Sequence, residues 1–184
     1  MRPAAMKMGD NDYFTTVRLL QNSSNSIKAE YINPFIESVK NLFETMLNCQ
    51  VVREDIALTT RIPPTLDIVA LIGLSGCIRG NVAMAFPVKT ALAMVSRAYR
   101  SQIVVVDSMV IDAVAEFVNI VAGGAQASLN QDVKVPVDLT IPTVIRGNRF
   151  QMEYPSMAAW IEVPFSSELG PFTIRISIHK KDNN

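Results

Sequence analysis

Two long helical patterns, each followed by short strand-like segments, constrain the fold of this chain most strongly. The first pattern runs from Lys28 to Asn48 and the second from about Ser108 to Asn130. Parallel strands need crossover connections of a dozen or more residues, whereas the short turns in this sequence suit antiparallel neighbours. The order therefore predicts an α+β fold in which two long helices pack against a mostly antiparallel β-sheet.

Alternating or continuously apolar segments predict where the strands lie. Those after the first helix are residues 50–59, 66–76 and 77–86, and the last two form a hairpin through Ser75 and Gly76. Residues 88–99 predict a short helix. Those after the second helix are residues 133–147, 149–154, 157–165 and 171–180, with a turn at Leu169-Gly170 before the last. Because both halves run from helix to strands, the sequence also indicates a weak internal duplication.

Length and composition suit one domain after an N-terminal extension. The chain has 184 residues, of which 49% are hydrophobic, enough for one compact core. Residues 1–27 contain three methionines by position 8 and the polar run QNSSNS, so we expect a flexible leader or extension there. Residues 28–184 are expected to form a single domain.

Charge and rare residues exclude several classes of function. Seventeen Lys and Arg balance seventeen Asp and Glu, so we expect neither nucleic-acid binding nor attraction to an anionic membrane. Cys49 and Cys77 form no zinc or redox motif, and the single histidine, His179, excludes a multi-histidine metal site. We find no secretory signal and no uncharged apolar stretch long enough to span a bilayer. These features predict a cytoplasmic protein with no membrane insertion.

The segment DAVAEFVNIVAGG, residues 112–124, carries polar groups within an apolar helix. At 100° per residue, four of its positions fall within about 60° of one another: Asp112, Glu116, Asn119 and Gly123. Opposite them cluster Val110, Val114, Phe117 and Val121. The helix from about Ser108 to Asn130 is the third predicted helix and is called α3. The four polar or small residues are therefore expected to share one outward face of this helix, which we call the α3 stripe.

Two interpretations of the α3 stripe are open at this point. An amphipathic helix always has a polar side, and charges there are usually only solvated. However, this stripe has no Lys or Arg at i+4, and Asn119 is unfavourable in the middle of a helix. Gly123 and Gly124 each cost about 1 kcal/mol and would let another backbone approach closely. These costs favour a face that is used.

The stripe's own chemistry is limited. No adjacent Ser, Cys or His supplies a nucleophile with its base. Asp112 and Glu116 could formally serve as a glycosidase pair or as two metal ligands, but we find neither a pocket between them nor a third ligand. An amide beside an acid is better suited to placing a water while the acid docks a cation, in a site completed by a partner.

The spacing Asp112-x3-Glu116-x2-Asn119, followed after 22 intervening residues by Pro142, resembles the signature of the CheC/CheX/FliY chemotaxis phosphatases. The likeness covers roughly residues 28–182. It is strongest to CheX, because only one helix carries the signature: the first long helix has Glu37 followed by Lys40 where an Asn would be required.

The resemblance implies hydrolysis of the phosphoaspartate of a CheY-like response regulator. Asn119 would orient the attacking water, and Glu116 would hold the regulator's lysine. Asp112 would flank the contact, and Pro142 would support the helix from the following strand. Gly123, which the helical projection places on the same face, is expected to belong to the partner-binding surface. The chain would need no cofactor of its own, since Mg²⁺ would belong to the regulator, and it would form a homodimer. The alternatives are a non-catalytic adaptor that binds a regulator or a flagellar-switch component, and a metal-dependent hydrolase using Asp112 and Glu116.

Overall fold

The computed structural model describes residues 29–59, 67–131, 135–147 and 160–180. Three helices lie in these ranges: α1 (Ala29–Thr45), α2 (Val88–Tyr99) and α3 (Ser108–Leu129). The strands are β1 (Val51–Arg53), β2 (Ala57–Thr59), β3 (Ile68–Gly76), β4 (Ile78–Phe86), β5 (Val137–Leu139), β6 (Thr143–Arg146), β7 (Trp160–Ser167) and β8 (Phe172–Lys180).

All eight strands form one antiparallel sheet with the order β1-β7-β8-β4-β3-β5. β2 also pairs with β7, and β6 also pairs with β3. Each edge of the sheet is therefore formed by two short strands, β1 and β2 at one edge and β5 and β6 at the other. The α+β class and the antiparallel sheet predicted from the sequence are confirmed.

The topology repeats within the chain. Each half runs from a long helix through two short strands to a hairpin: α1, β1, β2, β3 and β4, and then α3, β5, β6, β7 and β8. The short strands of each half pair with the first hairpin strand of the other half. This exchange explains why the two halves form one sheet and share one core, and it agrees with the predicted internal duplication.

Most predicted elements are confirmed, and two predicted strands are corrected. α2 spans the predicted residues 88–99, the hairpin β3–β4 turns at Cys77, and Gly170 has a φ of +121° in the turn before β8. The segments 50–59 and 133–147 are each two short strands rather than one. The predicted strand 149–154 and the N-terminal extension 1–27 lie outside the described residues.

The core lies between the helices and one face of the sheet. Phe43, Phe86 and Phe165 are fully buried, and each stacks on Phe172 with ring centroids 4.8 to 5.9 Å apart. Trp160 is also buried, at 2% exposure, but it alternates with the core residues Ile161 and Val163 along β7 and therefore lies on the other face of the sheet. Burial of this apolar surface is the main favourable term that holds α3 in place.

Both ends of α3 are attached to the segment β5–β6. Asp107 caps the first turn by accepting a hydrogen bond from the Val110 N–H at 3.1 Å. Beside that end, Arg146 of β6 donates to the Val106 carbonyl at 2.9 Å. At the other end, Gln126 donates to the carbonyl of Val137 in β5 at 2.6 Å. α3 therefore runs antiparallel to β5–β6 along the edge of the sheet.

Candidate functional site

The α3 stripe faces outward, as its spacing predicts. Val110, Val114, Phe117 and Val121 are buried in the core, at most 1% exposed. Asp112 and Glu116 are exposed, and Asn119 and Gly123 are half-exposed. Packing of the apolar face thus fixes the orientation of the polar face, so that no polar side chain of the stripe is buried in the core.

Glu116 and Asn119 form one hydrogen-bonded unit. The Asn119 Nδ2 donates to Glu116 Oε2 at 3.3 Å, one helical turn apart. Among the described residues, neither Glu116 nor Asp112 forms a salt bridge within the chain. The amide and carboxylate therefore present hydrogen-bonding groups side by side, and the carboxylate can accept a cation from outside.

The site is an open helical surface. The best-formed concavities among the described residues include two of about 440 and 520 Å³, and neither is lined by a residue of the stripe. Small-molecule sites are usually concave and enclose most of their ligand. An open face with a polar pair suits a macromolecular partner that brings its own pocket.

The two glycines predicted to continue this surface have different surroundings. A Cβ added at Gly123 would meet no heavy atom within 4 Å, so this position is open to a partner. A Cβ at Gly124 would overlap the side chain of Ser38 on α1, whose hydroxyl donates to the Ile120 carbonyl at 3.4 Å. The expected close approach is therefore internal at Gly124, where α1 packs on α3.

Pro142 lies between β5 and β6, immediately before β6, and it is half-buried. The sequence pattern places Pro142 inside one strand over residues 133–147. The structure corrects this, because Pro142 lies in the break between β5 and β6. Because β5 and β6 both pack against α3, Pro142 is in the segment that runs alongside the stripe. Within the predicted strand, Pro142 is the one signal for the observed break, because proline is rarely found inside a continuous strand.

The equivalent surface of α1 is neutralised within the chain. Lys40 Nζ lies 2.8 Å from Glu37 Oε1, at the i,i+3 spacing that Glu116 and Asn119 have on α3. An ammonium group cannot accept a hydrogen bond, and here it occupies the neighbouring carboxylate. The α1 surface therefore lacks an amide beside a carboxylate that is free to accept a cation, which is the combination that Asn119 and Glu116 provide in the stripe.

Other candidate groups supply no second site. The described residues contain no cluster of three His, Cys, Asp or Glu able to hold a metal ion, and the structure adds no third ligand to Asp112 and Glu116. Burial raises the pKa of the Cys49 thiol, Glu168 raises it further and Arg97 opposes the shift, so this thiol is a poor nucleophile. His179 is exposed on β8.

In length and composition, α3 is the one helix of the described ranges that could cross a membrane. Eight of its residues are buried, and they form part of the same core as the sheet. Its exposed face carries Asp112 and Glu116. These contacts identify α3 as the core helix of a folded domain.

Comparison with known proteins supports the family indicated by the stripe. Residues 68–166 match the family model described as chemotaxis phosphatase CheX. No curated protein matches the chain.

Several solved structures share the fold. A CheC-like superfamily protein from Shewanella sp. PV-4 is 28% identical, with a TM-score of 0.76 over 83% of this chain and 99% of that one. CheX from Vibrio vulnificus is 27% identical, with a TM-score of 0.74 over 82% and 100%. CheX in the CheX–CheY–BeF3–Mg²⁺ complex from Borrelia burgdorferi is 22% identical, with a TM-score of 0.70 over 82% and 98%. The family match covers more than half of the chain, which therefore belongs to the CheX chemotaxis phosphatases of the CheC/CheX/FliY family.

Proposed function

We propose that this protein hydrolyses the phosphoaspartate of a CheY-like response regulator through the α3 stripe. The observation that carries the proposal is the hydrogen-bonded pair Glu116 and Asn119 on an open face, in a chain of a chemotaxis phosphatase family. The Borrelia burgdorferi relative, solved with CheY, BeF3 and Mg²⁺, supports the choice of partner. The chain contributes the water-positioning side of the site, and the regulator contributes its phosphorylated pocket.

Asn119 orients the water for in-line attack on phosphorus. Its amide can accept a hydrogen bond from the water through the carbonyl oxygen while Nδ2 remains on Glu116. Phosphoryl transfer needs mainly positioning and charge stabilisation from the protein, and an acyl phosphate is already reactive. One well-placed amide is therefore enough for a chain without a nucleophile in its site.

Glu116 docks the regulator by accepting its active-site lysine in a salt bridge. A cation is the natural complement of an exposed carboxylate that has no salt-bridge partner among the described residues. Asp112 lies one turn toward the N-terminus and flanks the contact, while the open position at Gly123 lets the partner's surface approach. Pro142 shapes the segment beside the stripe.

The chain requires no cofactor of its own in this scheme. Mg²⁺ belongs to the regulator, where it neutralises charge on the phosphoryl oxygens. The exposed sheet edges provide a physical route to a homodimer, and we place the protein in the cytoplasm, where response regulators act.

Decay of a phosphorylated CheY-like regulator tests the proposal. Asn119→Ala is expected to lower kcat about 100-fold, equivalent to near 3 kcal/mol of barrier, because the water loses its orientation. Asn41→Ala is the control, since Asn41 is an exposed asparagine on α1 outside the stripe. Equal decay rates with the unaltered protein and with Asn119→Ala would reject catalysis and favour the adaptor.

Glu116→Lys separates docking from chemistry. It places two ammonium groups together, so we expect binding of the BeF3- and Mg²⁺-loaded regulator to be abolished. Undiminished affinity in a titration would contradict the role of Glu116. Activity on small phosphoesters with Mg²⁺ or Mn²⁺ and no regulator would instead support a metal-dependent hydrolase.

A further inference from the structure

The segment beside the α3 stripe contains a β-bulge. Leu139 pairs with Leu74, and Thr143 pairs with Leu71. Between these pairs, three residues at 140–142 face only two on β3. The extra residue bends the edge of the sheet and redirects a side chain, which is a common use of bulges beside functional sites.

Specific contacts hold the bulge and turn Ile141 outward. The Thr140 N–H donates to the Gly73 carbonyl at 3.0 Å, and the Gly73 N–H donates to Thr140 Oγ1 at 2.9 Å. Pro142 has no N–H with which to continue the ladder. Between them, Ile141 is 85% exposed, more than any other large hydrophobic side chain among the described residues.

The rise per residue of a helix and of a strand places Ile141 close to the level of Asn119 along the sheet edge. From Val106 to Gln126 the helical segment spans about 30 Å, and from Arg146 to Val137 the strand segment spans about the same length. Asn119 precedes Gln126 by seven residues, which is about 10 Å along the helix. On the strand, about 10 Å corresponds to three residues beyond Val137, and this position is in the bulge.

Asn119 also lies on the side of α3 nearest the bulge. Residues seven apart on a helix share a face, so Asn119 points to the same side as Gln126. The Gln126 side chain reaches the Val137 carbonyl in β5 at 2.6 Å. We therefore expect the exposed Ile141 side chain on the sheet edge to lie beside the polar pair on the helix.

The other half of the chain provides an internal comparison. Arg53 pairs with Phe165, and Ala57 pairs with Glu162, so residues 54–56 form a matching bulge opposite β7. Its middle residue is Asp55, which is exposed. An apolar residue occupies the bulge beside Asn119, whereas a charged residue occupies the bulge of the half whose helix carries Lys40.

We propose that Ile141 is the apolar contact through which the phosphorylated response regulator docks beside Asn119. The inference rests on the proposed function and extends its interface from α3 to the sheet edge. Interfaces combine a desolvated apolar anchor with surrounding polar contacts, and the polar contacts here are those of the stripe. Ile141 contributes binding energy that is the same in the ground state and in the transition state, and it takes no part in the attack on phosphorus.

Kinetics with a phosphorylated CheY-like regulator test this role. Ile141→Asp, which installs the residue of the matching bulge, is expected to raise KM at least about tenfold and leave kcat within twofold, because contact area is lost and a charge is desolvated. Ile141→Ser should change KM in the same direction. Asp55→Ser is the matched control and should leave both constants unchanged. Binding of the BeF3- and Mg²⁺-loaded regulator should weaken in parallel with the rise in KM.

The outcomes separate this inference from the proposed function. An unchanged KM in both Ile141 variants, with kcat still lost in Asn119→Ala, would overturn the inference and leave the phosphatase proposal intact. Unchanged decay in Asn119→Ala would overturn the phosphatase proposal itself. If sedimentation shows that the Ile141 variants lose self-association while KM is unchanged, Ile141 contacts a second copy of the chain and the inference is wrong.

Discussion

Replacing Gly123 and Gly124 by alanine, one at a time, is expected to give proteins of clearly different stability although the two positions are adjacent. Alanine is favoured over glycine within a helix by about 1 kcal/mol. At Gly123 the new Cβ meets no atom within 4 Å, so the full gain should appear. Gly123→Ala should therefore raise the free energy of unfolding by about 1 kcal/mol and the Tm by roughly 2–4 °C.

At Gly124 the same gain is opposed by packing. The new Cβ overlaps Ser38 Oγ and lies 3.2 Å from Ser38 Cβ. Overpacking of this kind costs about 1–3 kcal/mol, because α1 must shift or Ser38 must change rotamer. Gly124→Ala should thus be about 1–3 kcal/mol less stable than Gly123→Ala. Adding Ser38→Ala should recover part of the difference by removing the overlapping hydroxyl.

Urea unfolding measures these differences directly. At an m-value of about 2 kcal/mol/M, 1 kcal/mol shifts the midpoint by about 0.5 M. Equal midpoints for Gly123→Ala and Gly124→Ala, at constant m, would refute the argument that the α1–α3 contact requires Gly124. If the α3 stripe docks a regulator, Gly123→Ala should also weaken regulator binding while it raises stability, a combination that misfolding cannot produce.

Two further predictions concern groups away from the stripe. Glu162→Ala is expected to lower the free energy of unfolding by about 3 kcal/mol in urea, because the Arg175 side chain, 2.8 Å away and 7% exposed, would keep a buried charge without its carboxylate. Glu168→Ala, which breaks an exposed pair of equal length, should cost less than about 1 kcal/mol, and equal losses in the two variants would contradict the argument from burial. The raised pKa of Cys49 keeps its thiol neutral in the folded protein at a pH where the unfolded thiol is ionised, so stability is lost as the pH rises above about 8.5. Cys49→Ser should reduce that decline in a pH series of unfolding midpoints, whereas an identical decline would show that other groups cause it.

Local patterns were sufficient for most of the fold. The three- and four-residue spacing of apolar positions predicted α1 and α3, and the hairpin β3–β4 followed from two apolar runs around Gly76. The spacing of Asp112, Glu116 and Asn119 predicted one outward face because the helical period places them together, whatever the helix packs against. The two interrupted strands were missed, because a β-bulge depends on the partner strand as well as on the sequence of the bulged one.

The sequence by itself determined which residues share a surface on α3, and tertiary structure decided what lies next to them. Helical geometry is local, so the Glu116 and Asn119 pair could be predicted from a few neighbouring residues. Contacts between distant segments are not local: the packing of Ser38 on Gly124 joins positions 86 apart in the chain. The inferred position of Ile141 near Asn119 likewise depends on the hydrogen bonds that attach both ends of α3 to β5–β6.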